Sequence, residues 1–589
     1  MSDFIILHKN LVCEKSEKRI IQLTNEWFMV LTSTTYSEYN SGTTKVIIIG
    51  DYIDSSEKIV EINDDDIPKL KGHFYAIVLK EEKIKVYNSF FSMLPVYYTK
   101  EELFISSSIQ FIKQYINSDL TIDKKFILEN LLFNYGIFNR TLYNEIHLLA
   151  CHSFIELAHH KITVNKHYTI TDLFVPSPKK GKKVVDDISN LFIATVKDYL
   201  PEQEFDIAFT SGFDGRTLVS CAINHCKRFK TFSFGRSENN DVKIPLANAD
   251  ELKVPYQYFD LGDENYILSE YYKNATEYSS SGYMGNGFIY PHFLYSTKKV
   301  AEQTNYLISG AGGSELFRAL HITGAVTSQT LAKIFTTQDE SELAEIIKKA
   351  KPLRVLYMEE FTTELDELIA EIIAYKKTLP KNLSTNQQFY IFVFEEVFRK
   401  FFGQWITTQQ QYLTVRTPFL DYNFIKTLLT TVYAGANNDF FTKNPLKRMK
   451  GQYVYADIIK KTNQKIYRQV TGKGYRPIDV RNPKYLLNLL LPFLKKRIQK
   501  KAKKTNLDNL GIISGIKANE KKIHLLIAQK QSFFDAEILT IMLTNLSPYT
   551  PEKDRDTLAL SLAILYNLSS HFILPKTETH EVYSSVNRL

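Results

Sequence analysis

The chain has 589 residues, 44% apolar and 23% charged, so it is too long for one ordinary core and too apolar to be disordered as a whole; about two to four domains are expected. Its four cysteines, at 13, 151, 221 and 226, make no close metal-binding spacing and no disulfide framework, which is the pattern of a reducing compartment. Much of the +8 formal charge lies in Lys495–Lys504 (KKRIQKKAKK). A solvated helix is one reading and a patch for an acidic partner, RNA or anionic lipid the other. No interleaved aromatics accompany it, so nucleic acid is left without support.

In chain order, the start MSDFIILHKN carries an acidic residue at 3 and no long apolar stretch, which is not a secretory leader. Thr44–Ile49 (TKVIII) is strand material. Phe74–Leu79 and Ile84–Tyr87 follow as a hairpin with its turn at Lys80–Lys83, and Val96–Tyr98 with Leu103–Ile105 make a second pair. Helical spacing begins at Phe111, and Val175–Lys183 (VPSPKKGKK) reads as a linker. Beyond it, Phe205–Phe209, Phe229–Phe234 and Asn305–Ser309 look like parallel core strands, each running into a turn or helix. Cys221 and Cys226 share one predicted helix as core or half-buried thiols. The segments at about 335–470 and 483–589 read as mostly helical, with Asp339–Lys351 a solvated face. The apolar tracts Tyr485–Leu491 and Leu558–Leu565 are too short to span a bilayer, and a cytoplasmic enzyme is the expectation.

Three glycine clusters carry the candidate chemistry. Phe205–Arg216 (FDIAFTSGFDGR) is a strand, a polar turn and a helix start, an arrangement that presents N–H groups and hydroxyls to phosphate and that equally suits a plain strand–helix junction. Leu307–Phe317 (LISGAGGSELF) repeats it, with Gly310 and Gly312 in the turn, Ser314 a potential cap and Glu315 in the first helical turn. Two such turns at neighbouring strand ends would flank one crevice. In Thr471–Pro477 (TGKGYRP), Lys473 sits between two glycines, placed to project from a closing loop toward phosphate or a developing anion, or to lie on a surface turn.

Together these elements resemble the asparagine synthetase family of the class B, glutamine-hydrolysing type. Thr210-Ser211-Gly212-Phe213-Asp214-Gly215 resembles its SGG-x-DS pyrophosphate loop, Ser309–Phe317 its TGEGADELF segment, Arg416–Asp421 (RTPFLD) its RVPFLD segment, and Lys473-Gly474-Tyr475 its late lysine element. Thr231–Gly235 with Asn240-Asp241 resembles its second core strand and acidic loop. Upstream, Gly72 and Phe74, Pro95-Val96-Tyr97-Tyr98, Leu103–Ser107 and Thr141-Leu142-Tyr143 resemble its glutaminase domain. The implied fold is α/β: an N-terminal-nucleophile-hydrolase-like β-sandwich at 1–180, an adenine nucleotide alpha-hydrolase-like (PP-loop) parallel-sheet synthetase domain at 181–482, and a helical C-terminal extension at 483–589.

The second residue is Ser2 where active glutaminases of the family have cysteine, and Cys13 lies too far along, so the resemblance implies an inactive glutaminase domain. That places the chain nearer the β-lactam synthetase and peptide-cyclase-like relatives. The implied activity is an AMP-forming carboxylate–amine ligase using ATP and Mg2+, acting on a peptide or small-molecule carboxylate and amine rather than on glutamine. Implied roles are pyrophosphate contacts from Thr210, Ser211, Gly212, Gly215, Arg216, Gly310 and Gly312, magnesium at Asp214 and Asp241, and catalysis by Lys473 and Glu315.

Ser314 departs from a magnesium-binding aspartate, Ala311 from the residue between two glycines, and Thr414 from a glutamate. A base would then come from elsewhere, Glu395 and Glu396 being candidates. Ser280–Gly287 (SSGYMGNG) is expected to shape an acceptor wall or to be a flexible connection. The competing reading is a degenerate nucleotide-binding or regulatory protein. A homodimer or a substrate-delivery partner is left open, and no integral membrane segment is expected.

Overall fold

The computed structural model describes residues 3–11, 19–32, 36–54, 59, 62–318, 326–438, 449–481, 485, 487–489, 491, 508–529 and 533–572. Ser2, Cys13 and the basic run at 495–504 lie outside them, as does part of the apolar tract at 485–491.

Two antiparallel sheets of six strands build an N-terminal sandwich. The first sheet runs in the order His147–Leu148, Tyr97–Tyr98, Ile105–Ser106, Phe4–His8, Trp27–Leu31 and Arg19–Gln22. The second runs Lys161–Lys166, Ser153–Ala158, Lys83–Asn88, Gly72–Lys80, Thr44–Tyr52 and Ser37–Ser41. The expected hairpin closes with Lys80 opposite Lys83, and Glu81 takes φ +56° in its turn. Alternation in Thr44–Tyr52 splits its side chains between two apolar clusters. Ile47 and Ile49 face the main core with Tyr75 and Ile77. Val46 and Ile48 face a smaller one with Phe74, Val78, Ile67 and Leu70.

The third sheet is wholly parallel, in the order Tyr256–Asp260, Phe229–Gly235, Phe205–Ala208, Tyr306–Ile308 and Thr414–Arg416. Two of these strands escape the sequence pattern. Thr414–Arg416 has three residues, too few for a period, and Tyr256–Asp260 is half-exposed along most of its length. After reaching one edge at Tyr256–Asp260, the chain restarts on the other side of Phe205–Ala208 with Tyr306–Ile308. In an open parallel sheet the connections on either side of such a switch diverge at the carboxyl ends of the strands, where ligands bind. Both glycine turns emerge there.

The Pro-containing stretch before helix Lys182–Tyr199 is pinned rather than loose, since Lys179 N donates to Thr430 O (2.8 Å) and Val432 N to Lys179 O (3.0 Å). The charged run at 339–351 includes helix Glu340–Lys348, capped by Asp339 and burying Leu343 and Ile347. Cys226 is corrected from its expected place: helix Asp214–Asn224 ends before it, and the thiol is exposed at φ +51° while Cys221 is buried.

The C-terminal region is helical: Ile512–Ala518, Glu520–Ala528, Ala536–Thr544 and Glu552–Phe572. Gly515 lets the first of these lie against the Tyr271 ring, where an added Cβ would come within 2.2 Å of Cδ2. Asn567 on the last helix donates to Ser279 O at 3.0 Å. Among the described residues, no helix is long and apolar enough to cross a membrane.

The sandwich and the parallel sheet meet in a polar seam. Arg416 donates from Nε and Nη2 to the two oxygens of Asp51 (2.8 and 3.0 Å), and Thr417 Oγ1 lies 2.7 Å from His73 Nε2. Asp421 caps helix Tyr422–Leu429 by accepting from Phe424 N. The RTPFLD segment therefore joins the two units and starts a helix. Glu395 and Glu396, expected as acceptor-side bases, are corrected to this seam as well. Glu396 is buried between Arg399 (2.6 Å) and Lys400 (3.3 Å), and Glu395 faces Lys166 at 3.8 Å. Ser280–Gly287 is likewise packed rather than flexible: Tyr97 Oη donates to Gly282 O at 2.5 Å, and Tyr283 Oη donates to Ser92 O.

Candidate active site

The loop after Phe205–Ala208 is held from three sides. Gly215, in the first turn of helix Asp214–Asn224, lets the helix lie on the strand, because a Cβ there would sit 2.2 Å from Ala208 O. Ser211 donates its N–H to Asp241 Oδ1 at 3.1 Å, and its hydroxyl donates to the same oxygen. Thr210 Oγ1 accepts from Gly212 N at 3.4 Å. Asp241 stands in the first turn of helix Asn240–Leu252, its own N–H taken by the Asn239 cap.

Arg216 is fully buried. It donates to Gly212 O (3.4 Å) and Val470 O (3.1 Å), and burial lowers its pKa to about 10. Both bonded groups are backbone carbonyls, and these bonds tie the first loop to the Thr471–Tyr475 turn, while Nη1 makes no hydrogen bond. That turn folds on itself through Gly474 N to Thr471 O (2.8 Å), with Gly474 at φ +86°. Gly472 N donates to Ser211 O at 3.0 Å, and a Cβ on Gly472 would lie 2.1 Å from Ser211 Oγ. The late lysine element is thus fastened directly to the first loop. Lys473 Nζ is buried without a hydrogen-bond partner, 6.0 Å from the centre of the Phe213 ring.

The second glycine turn meets Asp214. Gly310 and Gly313 let the chain run against it, since added Cβ atoms would fall 2.9 Å from Asp214 Cβ and 2.8 Å from its Oδ1. Gly312, at φ +79°, is the helix cap rather than Ser314. The Ser314 hydroxyl instead donates to Asp214 Oδ2 at 2.7 Å, and Tyr455 Oη donates to Oδ1. Burial raises the Asp214 pKa, opposed by the Tyr455 bond and the Arg318 charge. Glu315, 9% exposed, is pushed up to about 8 by burial and by Asp214.

Asp214 and Asp241, expected to share a metal, have separate hydrogen-bond sets; the acid beside Asp214 is Glu315. Among the described residues no three His, Cys, Asp or Glu are grouped to hold a metal. Asp214 and Glu315 nevertheless fit a hard divalent cation, since both are oxygen donors and each gains by a positive charge between them. Two residues were missed by the sequence reading: Tyr455, on helix Lys450–Thr462, and Arg318. Arg318 follows directly on the glycine segment, where a lone cation ending an apolar run was the only signal.

The raised Glu315 pKa has a measurable consequence. Its carboxyl stays neutral in the fold up to about pH 8 but ionises in the unfolded chain above its ordinary 4.5. Its contribution to stability is therefore full below that value and falls as pH rises toward 8, by on the order of 4 kcal/mol. Without metal, Glu315→Gln should melt higher than the parent at pH 8 and match it near pH 4.5; a constant difference across that range would contradict the assignment.

Residues 202–482 match the family model for asparagine synthase. No curated protein matches the chain. The match covers both glycine turns, all five parallel strands and the Thr471–Tyr475 turn, and this part of the chain is an asparagine-synthetase-like, ATP-dependent PP-loop synthetase domain.

Proposed function

We propose that the protein is an AMP-forming ligase that adenylates a carboxylate and passes the acyl group to an amine, without drawing nitrogen from glutamine. The observation that supports it best is the buried, unpartnered Lys473 ammonium on a turn fastened to the first loop. A buried cation without a partner costs several kcal/mol, and a phosphate oxygen would supply what is missing. In this reading Thr210, Ser211 and Gly212 cradle the pyrophosphate, with Ser211 exchanging Asp241 for a phosphate oxygen. Gly310 and Gly312 keep the second turn close, Gly215 sets the helix behind the loop, and Arg216 holds the two loops together. Magnesium, when bound at Asp214 and Glu315 or at Asp241, supplies neutralisation of phosphate charge. The substrate carboxylate attacks the α-phosphorus of ATP, the bond to the pyrophosphate oxygen breaks, and Lys473 stabilises the charge that develops. The amine then attacks the acyl carbon and AMP leaves. A peptide or small natural-product precursor carrying its own nucleophile fits a ligase that draws no nitrogen from glutamine.

A second reading, a nucleotide-binding regulatory protein, is favoured by one observation: Asp241 already takes both Ser211 donors. ATP–pyrophosphate exchange with magnesium separates the two. Pools of amino acids, peptides and cell-extract acids are the carboxylate sources. Exchange that depends on one pool is the expected result and identifies the acid. Nucleotide binding without exchange from any pool would favour the second reading.

A further inference from the structure

Arg318 is 9% exposed, and among the described residues no carboxylate lies within ion-pair distance of it. Its Nη2 donates to Ser314 Oγ at 3.1 Å, and its Nε has no partner. The Ser314 hydroxyl in turn donates to Asp214, so the guanidinium stands one hydroxyl away from the carboxylate that opens helix Asp214–Asn224. Its charge is felt at Asp214, Glu315, Tyr455 and Tyr475. Two of those tyrosines pack on Phe213 with ring centres 5.6 and 6.1 Å away, and Phe213 is the ring beside Lys473 Nζ. Two cations, each with an unpartnered buried nitrogen, therefore flank one aromatic cluster at the mouth of both glycine turns.

We infer that Arg318 is a polyphosphate-binding residue, a second protein cation that with Lys473 holds the pyrophosphate portion of the nucleotide. A single missing bond would be unremarkable in a buried side chain, but two cations around one aromatic cluster, each with a buried nitrogen that makes no hydrogen bond, suit a ligand with more than one negative charge. Guanidinium geometry suits this role, since its planar fork engages phosphate oxygens through two nitrogens where an ammonium offers a point charge. The reach to Ser314 orients the fork and leaves Nε free. The position also accounts for the side chain at 314: with a cation supplied by the protein, a hydroxyl there orients Arg318 where a carboxylate would pair with it and cancel it.

The inference rests on the nucleotide-site reading, and its test keeps the two apart. Full-length protein is titrated calorimetrically with magnesium pyrophosphate and separately with AMP. The parent is compared with Arg318→Gln, which keeps a donor for Ser314 and removes the charge, and with Arg318→Ala. Both variants are expected to bind pyrophosphate at least about tenfold more weakly, the scale of a lost charged hydrogen bond, and to bind AMP as the parent does. Unchanged pyrophosphate affinity in either folded variant would overturn the assignment, and so would equal losses for AMP and pyrophosphate, which mark a structural residue. A parent that binds AMP but no pyrophosphate would overturn it too. Arg318-dependent pyrophosphate binding in a protein that supports exchange with no carboxylate would refute the ligase reading and leave Arg318 assigned.

Discussion

Lys473→Ala should lower ATP–pyrophosphate exchange about 100- to 1,000-fold, the usual effect of removing one donor aimed at developing charge. The same substitution should leave the melting temperature of the ligand-free protein unchanged or raise it. The structure gives the reason for pairing these results. Lys473 Nζ is buried, makes no hydrogen bond and contacts the face of Phe213 at the long limit of a cation–π interaction. A cation in that position contributes little to folding and carries a desolvation cost, so its removal relieves the fold while depriving the reaction. The loss should fall mainly on kcat if the ammonium acts on charge that appears only in the transition state, and on the KM for ATP if it only binds ground-state phosphate. A variant that retained exchange would exclude the lysine from the chemistry. One that lost exchange together with several degrees of melting temperature would show that the side chain holds the loop instead.

Arg399→Leu should be the most destabilising single change in the seam between the sandwich and the parallel sheet. Arg399 is fully buried on helix Phe398–Gln410 and crosses to the sandwich, donating to Leu149 O at 2.8 Å and to Asn139 Oδ1. It also holds Glu396, in the helical segment Val393–Val397 just before its own helix, at 2.6 Å. Removal would leave a buried carbonyl, a partly buried amide oxygen and a carboxylate with only Lys400 opposite it, at a cost of about 3–5 kcal/mol. Thermal melts and limited proteolysis should show a lower midpoint and cleavage near the seam. Arg399→Leu combined with Glu396→Leu should recover much of the loss, because the stranded charge goes with its partner. A single variant as stable as the parent would mean that the ion cluster is dispensable.

Local signals carried far in this chain. The hairpin of Phe74–Leu79 and Ile84–Tyr87 and the strand at Thr44–Ile49 were legible as short apolar runs, and the two turns after Phe205–Ala208 and Tyr306–Ile308 because an apolar run gives way there to a glycine-containing polar loop and a helix start. The later segments read as mostly helical, and the structure adds what that reading did not name, such as the Asp339 cap of Glu340–Lys348. Elements too short or too exposed to show a period were not legible, which is why the edge strands Tyr256–Asp260 and Thr414–Arg416 went unread.

The sequence by itself determined the class of the molecule and the residue types at its candidate site, since backbone turns, periodicity and charge are written locally. Tertiary structure alone decided which of those residues meet. It gave Asp214 and Asp241 different hydrogen-bond partners, turned Arg216 inward onto two carbonyls, sent Glu395 and Glu396 to the domain seam, and brought Ser314, with Arg318 one turn along, against Asp214. The physical reason is the same in each case. The direction of a charged side chain depends on which partners and how much water remain once distant segments pack, and no spacing along the chain encodes that balance.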